Sequence, residues 1–343
     1  MIPVSVVTGF LGAGKTTLLR RVLGDPAWAN SAVIVNEFGE VPLDHELLAA
    51  SEEVLVNVST GCLCCVVRSD LTATLMELLR QRAAGTVPPY ARVLIETSGL
   101  ADPAPILHAL MTDEAVAATH RLQSVVTLVD ALHGAGTLAR HPEAQRQAML
   151  ADRILLTKPD LGGDTAALEA ALRAHNPAAP VRAAVQGAVE PAWLFAAGTL
   201  PEFLDASARH SEGVAGITLE REAPIPALAL TLWMQALAEH AGARLLRLKG
   251  LVALAEDPGR PVVVHAIQHM VHPLEWLEAW PGADTRSRIV LIGQGIPRHL
   301  PARLLAAIEA EVRDAGARRR RPAPAHSGPH PATPRHRRPC CCE

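Results

Sequence analysis

The chain has 343 residues, of which 49% are hydrophobic and 20% are charged, the balance of a globular protein with a sizeable core. This length favours two domains. The first residues, MIPVSVVTGFLGAGK, have no basic segment before their apolar run, so we expect no signal peptide. No apolar stretch approaches the ~20 residues of a membrane helix. We therefore expect a cytoplasmic protein without a membrane partner.

The formal net charge of −3 hides an uneven distribution. From Gly316 onward, seven arginines and one glutamate give +6, so the rest of the chain carries −9. A basic block of this kind is typical of a flexible tail that contacts anionic surfaces through charge alone. We expect no specific nucleic-acid partner.

The first half of the chain predicts an α/β fold, a mostly parallel sheet with helices on both faces. Short runs rich in Val, Ile and Leu alternate with amphipathic stretches, as in sheets that are buried on both sides. The predicted strands are IPVSVVT, SAVIVNE, EVLVNVS, RVLIETS, SVVTLVDA, RILLTK and PVRAAV. The clearest helices are Gly14–Gly24, Asp70–Ala84 and Asp164–His175.

After PVRAAV the pattern weakens, and four segments are predicted. Residues 1–186 form the first domain, and residues 187–216, rich in Gly, Ala and Pro, form a linker. Residues 217–314 mix strands with helices and predict a smaller α+β domain. Residues 315–343, rich in Arg, Pro, His and Cys, lack apolar periodicity and predict a disordered tail.

A phosphate-binding loop follows the first predicted strand. GFLGAGKT, Gly9–Thr16, matches G-x-x-x-x-G-K-[ST] in full and lies between a strand and a helix, where this motif requires it. Its glycines let backbone amides face phosphates, Lys15 reaches the β- and γ-phosphates, and the Thr16 hydroxyl holds Mg²⁺. The predicted nucleotide contacts of this segment are Gly12, Ala13, Gly14, Lys15, Thr16 and Thr17.

Two further strand ends supply candidate nucleotide ligands. VLIETSG ends its strand with Glu96, placed to meet the Mg²⁺ shell or a water, and Gly99 then offers a backbone N–H to the γ-phosphate. Alternatively, Glu96 only pairs near the strand end. LLTKPD resembles the guanine-reading motif N-K-x-D with Thr157 in place of Asn. Asp160 is then expected to bond the guanine base, with the stem of Lys158 along it.

Cysteine is confined to one loop and one terminal run. Cys62, Cys64 and Cys65 lie within four positions, and the other three cysteines are residues 340–342. Thiolates two or three residues apart converge on one soft or borderline ion, and three sulfurs leave a fourth position open, which suits a transferable metal. The alternatives are a redox dithiol and small side chains packed in the core. The His- and Cys-containing tail is predicted to gather metal weakly.

Taken in order, GFLGAGKTT, NEFGE, GCLCC, ETSGLADP and TKPD resemble the motifs of the CobW-like metal-handling GTPases, relatives of HypB and UreG, and above all those of the YjiA-type branch. The resemblance runs from Met1 to about Arg313. It implies a P-loop GTPase domain followed by a CobW C-terminal-type α+β domain. It also implies that GTP, with Mg²⁺, controls the binding of Zn²⁺ or Co²⁺, and that the protein is a metallochaperone or insertase for an unidentified client metalloprotein or cofactor pathway.

NEFGE, Asn36–Glu40, follows the second strand and falls where a switch I segment would lie. By resemblance, Glu40 is a candidate oxygen ligand of the transition metal, and a solvated loop acid is the alternative. Glu37 is expected to position water or to contact Mg²⁺ when GTP is bound. The predicted catalytic residues are Lys15, Thr16, Glu37 and Glu96.

Three other functions fit part of this pattern. A P-loop kinase would transfer phosphate to a small molecule instead of water, and a metal buffer would bind the ion without turning over nucleotide. An ATPase is the third alternative, because Thr157 replaces the Asn of the guanine motif.

Two features of the second domain are expected to be structural. In PVVVHAIQHMVHP, a single strand would place His265 and His269 on one face and His272 on the other, as polar residues of an exposed sheet face. A client-binding or metal-binding role is the alternative. The helix that carries Trp233 and Met234 is expected to face the core.

Overall fold

The computed structural model describes residues 1–36, 55–57, 66–196, 214–272 and 274–320. Within these ranges the chain forms two β-sheets, one for each predicted domain.

The first seven strands form one sheet. They are β1 (Ile2–Gly9), β2 (Ser31–Asn36), β3 (Leu55–Asn57), β4 (Arg92–Thr97), β5 (His120–Asp130), β6 (Arg153–Thr157) and β7 (Val181–Ala184). All pairs are parallel, in the order β3-β2-β4-β1-β5-β6-β7. Because β1 lies between β4 and β5, the loops that follow these strands meet at one edge of the sheet.

Helices cover both faces of this sheet. Those in the described ranges are α1 (Lys15–Leu23), α2 (Val66–Ala84), α3 (Ala104–Thr112), α4 (Glu114–Thr119), α5 (Gly134–Arg140), α6 (Pro142–Leu150), α7 (Thr165–His175) and α8 (Pro191–Leu194). Side chains alternate along β1, so Val4 and Val6 pack with α2 and α3 on one face, and Val7 packs with α1 on the other. The predicted α/β class is confirmed.

The second sheet is antiparallel. Its strands are β8 (Val214–Arg221), β9 (Leu245–Leu254), β10 (Asp257–Ile267), β11 (Met270–Val271), β12 (Glu275–Trp276) and β13 (Ser287–Gln294). The helices α9 (Ala227–Ala241) and α10 (Leu300–Arg320) pack on one face. Trp233 and Met234 are buried there as predicted, and Trp233 Nε1 donates to the Pro301 carbonyl at 2.9 Å. Of the described helices, none is both long and apolar enough to cross a membrane.

Two predicted boundaries lie too early in the chain. Residues 187–196, assigned to the linker, belong to the first domain, because Leu194 and Phe195 are buried in the apolar cluster around α1. Residues 315–320, assigned to the tail, continue α10. The Ala and Arg residues of this segment have high helix propensity, which explains the extension.

The three histidines of the second domain lie on a hairpin, and the prediction of a single exposed strand is wrong. The chain leaves β10 at Ile267, turns through Gln268 and His269, and returns antiparallel in β11. His265 and His272 therefore lie opposite each other, with their rings stacked at 5.3 Å between centroids, and only His269 is exposed. Gln268 takes the left-handed conformation (φ 52°), so no glycine or proline marks this turn in the sequence.

Buried charges join the two domains. Asp152, directly before β6, accepts hydrogen bonds from Arg247 and, at 2.6 Å, from Lys249, both on β9. Burial acts to raise the pKa of Asp152, but the two cations hold it far below its usual value. Arg247 also donates to the carbonyl of Leu150. Because an unpaired buried charge is costly, each of these residues requires the others.

Apolar contacts surround this ion cluster. Met149 at the end of α6 packs with Leu246, Val290 and Ile292 of the second sheet. Ile267 is buried in the core cluster of the first domain that includes residues of α3. The second sheet therefore buries one face against α9 and α10 and the other against the first domain.

We predict that His265, which faces this interface, makes the stability of the protein depend on pH. Burial, then Arg247 and Lys249, lower the pKa of His265 well below its usual value, Asp152 opposes them, and His272 lowers it further. Below about pH 6.5 the unfolded chain binds a proton at this position that the folded chain does not bind. The free energy of unfolding therefore decreases as the pH falls through this range.

Urea denaturation of the wild type and His265→Gln from about pH 7.5 to about pH 5 measures this effect. Glutamine does not titrate, so unfolding of the variant should take up as much as one proton fewer than unfolding of the wild type. The slope of the free energy of unfolding against pH should therefore be smaller by up to about 1.4 kcal/mol per pH unit. His269→Gln, on the exposed turn, is the matched control and should keep the wild-type slope. A wild-type slope in His265→Gln would contradict the prediction.

Candidate functional site

The phosphate loop, Gly9–Thr16, connects β1 to α1 through two left-handed residues. Gly12 has φ 70° and Gly14 has φ 92°, conformations that residues with a Cβ rarely adopt. Gly14 is the N-cap of α1, and no described side chain caps this helix. The first amides of α1 therefore remain available to an anion. Within the loop, Ala13 is buried, and Thr17 lies on the exposed side of the first helical turn.

Lys15 lies within the curl of this loop. It is 8% exposed, and its Nζ donates to the carbonyl of Gly9 at 3.0 Å and to that of Phe10 at 3.3 Å. In loops of this type the ammonium group lies where the β- and γ-phosphates bind. The structure thus places Lys15 inside the loop, and its contact with the phosphates stays a prediction.

The end of β6 supports the loop from its other side. Thr157 Oγ1 donates to the carbonyl of Ala13 at 2.8 Å, and Lys158 Nζ donates to that of Gly12 at 2.8 Å. Lys158 takes the left-handed conformation (φ 56°) and forms an ion pair with Asp130 at 2.7 Å. The structure places the ammonium group of Lys158 on the phosphate loop, and the contact of its stem with a base stays a prediction.

Asp130 is a site residue that sequence reasoning missed. Burial acts to raise its pKa, but the hydrogen bond from Lys158 and those from the amides of His133 and Leu132 lower it. The carboxylate therefore stays charged and holds Lys158 against the loop. The available signal was the acid that ends the strand SVVTLVDA, as Glu96 ends its own strand.

Thr16 and Glu96, predicted as partners at a magnesium ion, are in contact. Thr16 Oγ1 donates to Glu96 Oε1 at 2.9 Å, and Glu96 is 1% exposed. The parallel pairing of Val7 with Glu96 brings β4 beside the loop. Hydroxyl and carboxylate oxygens are ligands that Mg²⁺ prefers, so this pair fits that ion.

Gly99 packs directly against the phosphate loop. A methyl group on Gly99 would lie 2.7 Å from the backbone N of Leu11 and 2.8 Å from its Cα. Only glycine allows this approach, which brings the segment after β4 next to the loop.

Asp160 lies at the same edge of the sheet. It is exposed in a short 3-10 turn, Pro159–Leu161, just after Lys158. An exposed carboxylate beside the phosphate loop is accessible to a base, as the guanine-reading interpretation requires.

The predicted metal ligands lie outside the described residues. These are Glu40, Cys62, Cys64 and Cys65, and Glu37 of the catalytic set lies there too. Their flanking strands are described. β2 ends at Asn36, which pairs with Thr97, and β3 ends at Asn57, which pairs with Val35. Both strands therefore end at the edge where β4 presents Glu96. In the described part of the chain, no three His, Cys, Asp or Glu residues form a metal cluster.

A glycine-rich loop between a strand and a helix, with a hydroxyl–carboxylate pair beside it, defines a P-loop nucleotide-binding protein. Two protein-family models match this chain. The model described as "CobW/HypB/UreG, nucleotide-binding domain" matches residues 3–183, and the one described as "Cobalamin synthesis protein cobW C-terminal domain" matches residues 214–309. The chain belongs to the CobW/HypB/UreG family. The resemblance inferred from the motifs is confirmed.

One relative matches most of the chain and another matches less than half of it. The chain is 32% identical over 306 residues to zinc chaperone YjiA of Escherichia coli (strain K12), covering 86% of this chain and 95% of that protein. It is 42% identical over 152 residues to zinc chaperone CobW of Pseudomonas aeruginosa, covering 41% of this chain and 39% of that protein. The crystal structure of Zn(II)-bound YjiA GTPase from E. coli matches 90% of this chain and 98% of that one, with a TM-score of 0.70 and 27% identity.

We predict that Lys158→Met weakens binding of GDP and of GTP analogues alike. The variant loses the bonds to Gly12 and Asp130, so the loop is held less firmly whichever nucleotide is present. Fluorescent-nucleotide titration should give a loss of about tenfold for each, as expected for a hydrogen bond to a charged group. Arg173→Met, which removes an exposed ion pair with Glu169, is the control. If Lys158→Met bound both nucleotides with wild-type affinity, the proposal that Lys158 holds the phosphate loop in place would be contradicted.

Proposed function

We propose that this chain is a cytoplasmic metallochaperone that hydrolyses GTP to GDP and phosphate and binds a transition metal, Zn²⁺ or Co²⁺, for an unidentified client metalloprotein. Membership of the CobW/HypB/UreG family supports this proposal, as do relatives named zinc chaperones and a GTPase with bound Zn(II) among the similar structures. The observation that carries it is the contact of Thr16 with Glu96 beside the phosphate loop.

The residues around the loop are proposed to have different roles in phosphoryl transfer. The oxygen of a water bonds to the γ-phosphorus, and the bond from that phosphorus to the bridging β-phosphate oxygen breaks. The electron pair of the broken bond leaves with GDP, and the protons of the water leave with the inorganic phosphate. Lys15 and the Gly99 amide stabilise charge on the phosphates, and Glu96 orients water or the ion shell. Thr16 and Glu96 would hold Mg²⁺, which neutralises phosphate charge when bound. Glu37, directly after β2, is proposed to position the attacking water.

Guanine recognition is assigned to Asp160. A carboxylate accepts hydrogen bonds from the N1–H and the exocyclic amine of guanine, and adenine does not offer this pair of donors. Thr157 and Lys158 contribute indirectly, because they hold the loop and the turn that carries Asp160 in one arrangement.

The transition metal is assigned to Cys62, Cys64 and Cys65, with Glu40 as a candidate oxygen ligand. Thiolate sulfurs suit Zn²⁺, and an incomplete protein ligand set suits transfer to a client. The strands before these residues, β2 and β3, end at the edge that carries the nucleotide site. This common edge supports the proposal that the bound nucleotide alters the affinity for metal, because coupling requires a differential contact between the two sites.

We predict that Asp160→Asn changes the base preference of the enzyme. The carboxamide of Asn donates to the C2 carbonyl of xanthine, where guanine has an amine, so affinity for GTP should fall and affinity for XTP should rise by at least about tenfold each. Competition of GTP, XTP and ATP against one fluorescent nucleotide measures this. Asp164→Asn is the matched control, because Asn also caps α7. Strong ATP binding by the wild type would contradict guanine recognition.

We predict that replacing Cys62, Cys64 and Cys65 together by Ser abolishes tight Zn²⁺ binding and leaves basal GTP hydrolysis within about threefold of wild type, because serine hydroxyls are poor Zn²⁺ ligands. In the wild type, Zn²⁺ affinity should differ between the GDP form and the form with a non-hydrolysable GTP analogue. The same Ser replacement at residues 340–342 removes an equal number of thiols and should keep the tight site.

Competition with a chromogenic chelator in each nucleotide state measures these affinities. Retained tight binding in the loop variant would contradict the ligand assignment. Equal wild-type affinities in both nucleotide states would contradict the coupling.

A further inference from the structure

A buried amide on α6 holds the segment that follows β4. Gln147 is 1% exposed, and its Nε2 donates to the carbonyl of Gly99 at 3.1 Å and to that of Ala101 at 3.0 Å. The orientation of the amide is fixed, because the flipped amide would place Oε1 against two carbonyl oxygens. On the same helix, Arg146 forms an ion pair with Asp102 at 2.6 Å.

This segment is the one that touches the phosphate loop. Gly99 lies against Leu11, and the Ala101 amide donates to the carbonyl of Ser98 at 3.1 Å, which closes a tight turn. Gln147 bonds the carbonyls on either side of Leu100. A shift of this side chain therefore moves the backbone whose amide is assigned to the γ-phosphate.

The chemistry of glutamine suits this position. A side-chain amide supplies two N–H donors without a charge, so it satisfies two buried carbonyls without the cost of a buried ion. The helix is fixed locally as well, because Thr127 Oγ1 donates to the main-chain carbonyl of Gln147 at 2.7 Å.

The same C-terminal turn of α6 also belongs to the domain interface. Met149 packs on the second sheet, Leu150 offers its carbonyl to Arg247, and Asp152, two residues after the helix, pairs with Arg247 and Lys249. Asp152 lies only five positions after Gln147. The C-terminal turn of one short helix thus contacts both the nucleotide-facing segment, through Gln147, and the second domain, through Met149 and Leu150.

We propose that Gln147 is a positioning residue for GTP hydrolysis and that α6 links the position of the Gly99–Asp102 segment to the second domain. This rests on the proposed role of the Gly99 amide at the γ-phosphate. The second domain would then respond to the presence of the γ-phosphate through a rigid element.

Gln147→Met tests the positioning role, because methionine conserves volume and has no donor. The kcat for GTP hydrolysis should fall about tenfold or more, while the KM for GTP and the Kd for GDP should change by no more than about threefold. Gln145→Met is the matched control: it is the same substitution two residues away, at a side chain that donates to Leu138 on α5. Its kcat should equal that of the wild type.

Hydrogen exchange of the β9 amides, compared between GDP and a non-hydrolysable GTP analogue, tests the link to the second domain. A nucleotide-dependent difference is expected in the wild type and in Gln145→Met and should disappear in Gln147→Met. If Gln147→Met does not fold, Gln147→Asn replaces it, because its shortened amide cannot reach both carbonyls.

The outcomes separate this inference from the proposed function. A wild type that does not hydrolyse GTP would overturn the proposed function. A wild type that hydrolyses GTP together with an unchanged kcat in the Gln147 variant would overturn the positioning role alone. An identical exchange difference in that variant would overturn the link through α6.

Discussion

The nucleotide site depends on satisfying the carbonyl oxygens of the phosphate loop. Curling Gly9–Thr16 so that its amides face an anion removes the neighbouring carbonyls from any helix or strand partner. Lys15 bonds two of them from within the loop, and Thr157 and Lys158 bond two more from the end of β6. The contact of Thr157 with the Ala13 carbonyl is buried. A buried carbonyl without a partner costs about 1–3 kcal/mol, so the shape of the loop and Thr157 depend on each other.

The parallel sheet makes these contacts possible. With β1 in its middle, strands that are distant in the chain end beside the loop, so Thr16 meets a carboxylate 80 residues away and Ala13 meets a hydroxyl 144 residues away. Ligand sites of open α/β sheets lie at this carboxyl edge for the same reason. It also explains why β1, which precedes the phosphate loop, and β3, which precedes the cysteines in sequence, end at one edge of the sheet.

The sequence predicted those parts of the fold and site that are encoded locally. The phosphate loop, Glu96 and Gly99 follow from strand ends and short motifs, and the apolar runs indicated the parallel sheet. The contacts of Thr157 and Gln147 could not be predicted, because each depends on a long-range approach that has no local pattern. The hairpin at Gln268 was missed because a non-glycine residue takes the left-handed turn position, and the α8 segment was missed because its few apolar residues show no periodicity.

The composition of the domain interface bears on how the two halves work together. Apolar contacts such as those of Met149 hold surfaces together but tolerate sliding, and a purely apolar interface would be at least as stable as one with buried ions. The cluster of Asp152, Arg247 and Lys249 is different, because any displacement of β9 along α6 would leave a charge unpaired. The ion cluster therefore fixes the relative position of the two domains more than it strengthens their association. An interface with one permitted register can carry a small movement of α6 into the second sheet, and a link between nucleotide and client requires this property.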